Sequence, residues 1–265
     1  MILFTCSWLP ANREQRALVF LCHGYGMESS ISMKGTGTRL AKAGYGVYAL
    51  DYEGHGRSSG LLGYIASFED VVTDCSDHYT RISERRENMK RSKFLMGESM
   101  GGTVAILLHL KKPNFWDGAV LVAPMCKIED DIRPPALVVN VMTKLCRIIP
   151  TWGMIPSHDD IDAAYRDPKV RQEVSIPFLI VHGEEDEVRY PSVSNLLYES
   201  ACSEDKTFKL YPGMWHSLIY GELPENIDAV FEDINSWLDN RVARRGDPCF
   251  QWPKLWSKAS TSKAS

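Results

Sequence analysis

The residues best suited to chemistry are grouped around Ser99, in Gly97-Glu98-Ser99-Met100-Gly101-Gly102, with an apolar run at 93–96 before them and an apolar, helix-forming run at 103–110 after them. A serine at the apex of a strand, tight turn and helix can present its hydroxyl above a sheet as a nucleophile. The glycines two before and two after it are required because any side chain there would meet strand or helix. A serine hydroxyl is a poor nucleophile at neutral pH. It needs an imidazole to take its proton and a carboxylate to hold that imidazole in the useful tautomer. In a chain of alternating strands and helices these groups follow in the order serine, acid, histidine, each on a loop after a strand. The apolar run 178–182 leads into Gly183-Glu184-Glu185-Asp186-Glu187-Val188, and the run 207–211 into Pro212-Gly213-Met214-Trp215-His216-Ser217. Ser99, Asp186 and His216 are therefore the expected triad. His216 is the only histidine after Asp186, whereas Asp186 has Glu184, Glu185 and Glu187 as acidic neighbours, and a solvated acidic turn is the alternative reading of that stretch.

Acyl transfer also needs donors aimed at the oxyanion of the tetrahedral intermediate, each worth about 2.7–4 kcal/mol of barrier. The expected donors are the backbone N–H of Met100, directly after the nucleophile, and that of Tyr25 in His23-Gly24-Tyr25-Gly26-Met27. His23, His55 and His182 fall at strand ends or turns near the same site, where hydrogen bonds that fix the loops are their expected work.

The elements that must position these groups follow from periodicity. Short apolar runs at 17–22, 46–50, 94–96, 118–123, 178–182 and 207–211 read as strands, most of them too uniformly apolar to face water. Helical patterns lie at 33–43, ended by Gly44, at 68–87 and at 228–238. This alternation predicts an α/β fold with a mostly parallel, doubly wound sheet, whose chemistry sits beyond the carboxyl ends of the strands. Residues 1–245 read as one such domain and 246–265 as an irregular, disordered tail. The segment at about 126–174 breaks the rhythm. In it Leu137, Val138, Val141, Met142, Leu145, Ile148 and Ile149 share a helical face, which suits either a cap over the site or a plain packing helix.

Hydrophobic residues make up 44% of the 265, ample for a core, and a net charge of −4 argues against a nucleic-acid partner. Seven cysteines without a Cys-x-x-Cys pair or a ligand rhythm indicate reduced thiols rather than a disulfide frame or zinc site. The first eight residues lack a signal-peptide pattern and no run reaches membrane-spanning length, so a cytoplasmic protein is expected, with peripheral membrane contact through the cap left open. No metal or organic cofactor is implied.

Four stretches together carry a resemblance: Leu21-Cys22-His23-Gly24-Tyr25-Gly26-Met27, Asp51-Tyr52-Glu53-Gly54-His55-Gly56-Arg57-Ser58, the Ser99 motif, and Tyr211-Pro212-Gly213-Met214-Trp215-His216. In this order, over about residues 4–238, the chain resembles the plant monoacylglycerol-lipase-like α/β-hydrolases, a group that includes caffeoylshikimate esterases. The resemblance implies an α/β-hydrolase fold with a helical cap inserted after the sixth strand. It implies a serine esterase acting on monoacylglycerols, lysophospholipids or a phenolic ester, with Ser99 as nucleophile, His216 as base, Asp186 as orienting acid, and Tyr25 and Met100 as oxyanion donors. The chain departs from the family pattern in a short lead-in, in Tyr190 where an aspartate is common, and in the cap. There Gln172 and Glu173 directly join two stretches that relatives separate by a further helix and its flanks. A shortened cap should loosen selectivity. It leaves two other readings open, a binding protein that no longer turns over and a peptidase on the same fold.

Overall fold

The computed structural model describes residues 1–125 and 171–245. These contain seven strands: β1 (Thr5–Trp8), β2 (Leu18–Cys22), β3 (Gly46–Leu50), β4 (Lys93–Glu98), β5 (Gly118–Val122), β6 (Phe178–Gly183) and β7 (Lys206–Tyr211). They form one sheet in the order β1-β3-β2-β4-β5-β6-β7, parallel throughout except for β1, which runs antiparallel to β3. The helices are α1 (Lys34–Ala43), α2 (Phe68–Ser83), α3 (Met100–Lys111), α4 (Pro191–Ser200) and α5 (Pro224–Arg245).

Successive residues of a strand point to opposite faces, and here both faces are apolar. Leu18, Phe20 and Cys22 of β2 join Leu95, Leu121 and Ile180 in a core completed by Val72 and Tyr79 of α2, Val104 of α3 and Leu197 of α4. Val19 and Leu21 join Val47, Met96, Val120 and Val181 in a second core, closed by Leu40 of α1 and by Phe231, Ile234 and Leu238 of α5. The doubly wound arrangement is thus a consequence of strands that are apolar at both parities.

The elements differ from expectation where packing overrides local pattern. β1 was not legible because Thr5-Cys6-Ser7-Trp8 alternates exposed and half-buried residues at the sheet edge. α2 ends at Ser83, short of residue 87, and the buried Asn88 side chain donates to Ile82 O at 2.8 Å just beyond it. α5 extends past residue 238, and Arg241 in its added turns lies 3.6 Å over the Trp237 ring. Because one antiparallel strand precedes the six parallel ones, the segment expected to carry the cap leaves the sheet after the fifth strand, β5, and not after the sixth. The amphipathic helix expected at 137–149 and the tail at 246–265 lie outside the described residues. Among the described residues Cys6, Cys22, Cys75 and Cys202 are free thiols, and no helix is long and apolar enough to cross a membrane.

Candidate active site

Ser99 sits between β4 and α3 at φ 51°, ψ −118°, a left-handed conformation costly for a residue with a side chain. The surroundings hold it there. Its N–H donates to Val122 O at 3.0 Å, and its carbonyl accepts the N–H groups of Gly102 and Met125 at 2.9 Å each. The flanking glycines have no alternative: a Cβ on Gly97 would lie 2.1 Å from Gly101 O, and one on Gly101 only 1.9 Å from Cys22 O. Met100 is the first residue of α3, so its N–H is among those a helix leaves without an internal partner.

The loop after β2 lies against this serine, with the Gly24 Cβ position 3.6 Å from Ser99 Cβ. His23 is fully buried, stacked on Tyr52 at 3.8 Å between ring centroids, and burial pushes its pKa down to about 4. Its Nε2 accepts the Tyr52 N–H at 3.1 Å, so the ring proton is on Nδ1, which donates to Gly24 O at 2.8 Å. That carbonyl also accepts the Met27 N–H at 3.2 Å. In a trans peptide the C=O and N–H point opposite ways within one plane, so pinning the Gly24 carbonyl also fixes the direction of the Tyr25 N–H. Asp51, at the end of β3, ties the neighbouring loop down by accepting the N–H groups of Ser29 at 2.7 Å and Arg57 at 2.9 Å.

The third part of the site is built on β6 and β7. Asp186 is 2% exposed while Glu184, Glu185 and Glu187 face solvent, so the turn offers one carboxylate to the interior. Asp186 Oδ1 accepts the Val188 and Arg189 N–H groups at 2.8 Å each, and Oδ2 accepts from His216 Nδ1 at 2.7 Å and from His182 Nε2 at 2.9 Å. Burial by itself would raise the pKa of this carboxyl. The hydrogen bonds from His182 and His216, with the Arg189 N–H, outweigh it and hold the group well below the usual carboxylate range. With Nδ1 turned to Asp186, His216 keeps Nε2 for a substrate or nucleophile.

The structure thus pairs Asp186 with His216 and seats Ser99 beside the Tyr25 loop. Among the described residues no hydrogen bond joins Ser99 Oγ to His216; such contacts are often long before a substrate is bound. The two halves approach each other at Glu98, which lies within electrostatic reach of Tyr220 on the segment after His216; the Tyr220 N–H donates to Ser217 O at 3.3 Å. Glu98 is 1% exposed, and this burial pushes its pKa up to about 8 against the opposing effect of the nearby Tyr220. His23, His55 and His182 make the loop-fixing bonds expected of them, His55 Nδ1 lying 3.1 Å from Glu53 O. The sequence reading missed the approach of Glu98 and Tyr220, which no spacing signals. It also missed the bond from His182 to Asp186, for which the four-residue separation was an available hint.

A mostly parallel sheet wound by helices on both faces, with a strand, strained serine turn and helix at its centre, defines the α/β-hydrolase fold. The chain belongs to the Hydrolase_4 family, described as "Serine aminopeptidase, S33", whose model matches residues 13–175 and 171–223. It is 32% identical to a caffeoylshikimate esterase of Arabidopsis thaliana, over 92% of this chain and 84% of that protein. It is 29% identical to the monoglyceride lipase of Homo sapiens, over 92% of this chain and 89% of that one. Among solved structures, a monoglyceride lipase of Saccharomyces cerevisiae in complex with a substrate analogue aligns over 90% of this chain and 92% of its own, with a TM-score of 0.72 at 21% identity. These named relatives are esterases and lipases.

Proposed function

We propose that this chain is a serine carboxylic ester hydrolase working through an acyl-serine intermediate on a small ester, a monoacylglycerol, a lysophospholipid or a phenolic ester. As Ser99 Oγ attacks the ester carbonyl carbon, His216 Nε2 takes its proton, and Asp186 stabilises the imidazolium that forms. The carbonyl oxygen becomes an anion held by the Tyr25 and Met100 N–H groups. When the tetrahedral species collapses, His216 gives its proton to the departing alcohol oxygen and the acyl group stays on Ser99. Water then attacks the acyl-serine, again losing its proton to His216, and the second collapse releases the acid and restores the serine.

The observation that carries this reading is the 2.7 Å bond from His216 Nδ1 to a buried Asp186, on the same sheet edge as a serine held at positive φ. The esterase and lipase relatives favour an ester over an amide, whereas the family description gives a peptidase reading some weight. The test is labelling by a serine-reactive phosphonate, followed by turnover of a panel of p-nitrophenyl esters, monoacylglycerols, phenolic esters and aminoacyl amides, each beside Ser99→Ala. Ester turnover that vanishes in Ser99→Ala supports the reading; preference for the amides would replace it by a peptidase, and labelling without turnover by a binding protein.

A further inference from the structure

The carboxylate of Asp186 receives four donors, and one of them has no place in a serine–acid–histidine mechanism. His182, fully buried on β6, puts Nε2 2.9 Å from Asp186 Oδ2, the same oxygen that His216 Nδ1 approaches at 2.7 Å. The same nitrogen lies 2.8 Å from the carbonyl oxygen of Arg189. Both neighbours are acceptors, so Nε2 must carry the hydrogen, shared between them. In the neutral ring the other nitrogen then bears a lone pair and takes a donor. Ser194 of α4, also fully buried, supplies it with its hydroxyl 2.8 Å from Nδ1. One imidazole therefore joins strand, acid turn and helix, with its tautomer set from both ends.

Resting on the hydrolase reading above, we propose that His182 is a positioning residue for the acid–histidine pair: its Nε2–H, fixed in that tautomer by Ser194, holds Asp186 Oδ2 toward His216 and limits how strongly that oxygen accepts from it. The two effects have separate signatures. Holding the oxygen in place governs the rate of the proton-transfer steps, because a small displacement of a catalytic group is costly. Sharing the oxygen governs proton affinity: two donors on one acceptor compete, so removing the His182 donor strengthens the bond to His216 and favours the imidazolium form. The acid limb of the rate profile, which reports the protonation that inactivates the base, then moves to higher pH. The other ionisable groups near the pair are Glu184, Glu185, Glu187 and Arg189 on the acid turn, Tyr220 and Glu222 on the segment after His216, with Glu222 accepting the Trp215 N–H at 2.8 Å, and Glu98 on the nucleophile side. All are unchanged in the variants below.

The experiment compares His182→Leu, which removes the donor at similar volume, with His182→Gln, whose amide N–H can still reach Asp186, and with Ser194→Ala, in the full chain with thermal melts as a control on folding. Expected for His182→Leu is a fall in kcat of about ten- to a hundredfold with KM near wild type, and an acid limb displaced to higher pH. His182→Gln should restore most of kcat and the wild-type limb, and Ser194→Ala should move the limb the same way by less. A folded His182→Leu with the wild-type limb overturns the proposal, since a merely structural histidine would lower the melting temperature and leave the profile alone. If His182→Leu does not fold, Ser194→Ala decides by the same criterion. Long-range 1H–15N NMR of the resting wild-type protein reads the tautomer directly, and a proton on His182 Nδ1 also overturns the proposal. That measurement needs no turnover. Absence of serine-dependent hydrolysis in wild type would sink the function proposed above, while the His182 tautomer would still be judged on its own.

Discussion

The two sides of the site are held by different physics. The nucleophile turn is a matter of backbone packing: Ser99 is strained, and glycines at 97 and 101 let strand, helix and the β2 loop come closer than any Cβ permits. The acid–histidine side has one such approach, at Gly183, where a Cβ would lie 2.3 Å from Met214 O and 2.4 Å from Trp215 O, but the side chains of Asp186 and His216 are placed otherwise. Asp186 and His216 are held by polar bonds from two imidazoles and two backbone N–H groups, contributed by β6, its following turn and the loop after β7. Steric constraint specifies a shape that either forms or does not, whereas a hydrogen-bond network can be weakened donor by donor. The first side should therefore fail abruptly and the second by degrees.

Four substitutions would break or sharpen that contrast. The largest effect is expected from Gly101→Ala, which drives a Cβ to 1.9 Å from Cys22 O, a backbone atom that cannot step aside. We expect little folded protein, and a cooperative melt at the wild-type temperature would show the close approach to be dispensable. Ser99→Ala should fold normally, since the bonds at this turn are made by its backbone, and should lose ester turnover and phosphonate labelling altogether. Asp186→Asn should lower kcat by roughly 10³–10⁴-fold with the fold intact, because an amide no longer enforces the working tautomer. A loss below tenfold would mean that a neighbouring glutamate takes over.

The mildest change is Glu98→Gln. The folded-state pKa of Glu98 is raised to about 8 by burial, so between its ordinary value near 4.5 and 8 the folded protein holds a proton that the unfolded chain has released. Its contribution to stability is full below about 4.5 and is lost as pH rises toward 8. Denaturation midpoints of Glu98→Gln should therefore fall less than those of wild type between pH 5 and pH 8, and equal falls would show that Glu98 does not titrate across that range.

The same contrast explains what could be read from the sequence. The turn at Ser99 was legible because its requirement is a residue identity at fixed spacing, and glycines two before and two after the serine announce it. The strands were legible because both parities are apolar. The choice of Asp186 over three adjacent glutamates needed chain order and a family pattern, and its physical basis, burial of one carboxylate while the others face water, exists only once β6 and β7 are side by side. Tyr220 meeting Glu98 across more than a hundred residues has no local signature at all. β1 escaped notice for the opposite reason: an edge strand that is half exposed has no strong hydrophobic pattern to display.

One feature of the sheet bears on how the chain is made. β5 pairs with β4 on one side and with β6 on the other, and residues 123–177 separate β5 from β6 in the chain. At roughly 5–20 residues per second a ribosome takes about 3 to 11 s to cross that interval. Until β6 follows, Gly118-Ala119-Val120-Leu121-Val122 lacks the neighbour that covers it in the finished sheet, and these five residues include no charge or proline to discourage a stray strand from another copy. The backbone bonds that hold the serine turn come from residues no later than Met125, so its fixing partners precede its acid and base in the chain, and covering the open margin of β5 is left to the same late segment that brings the acid and base.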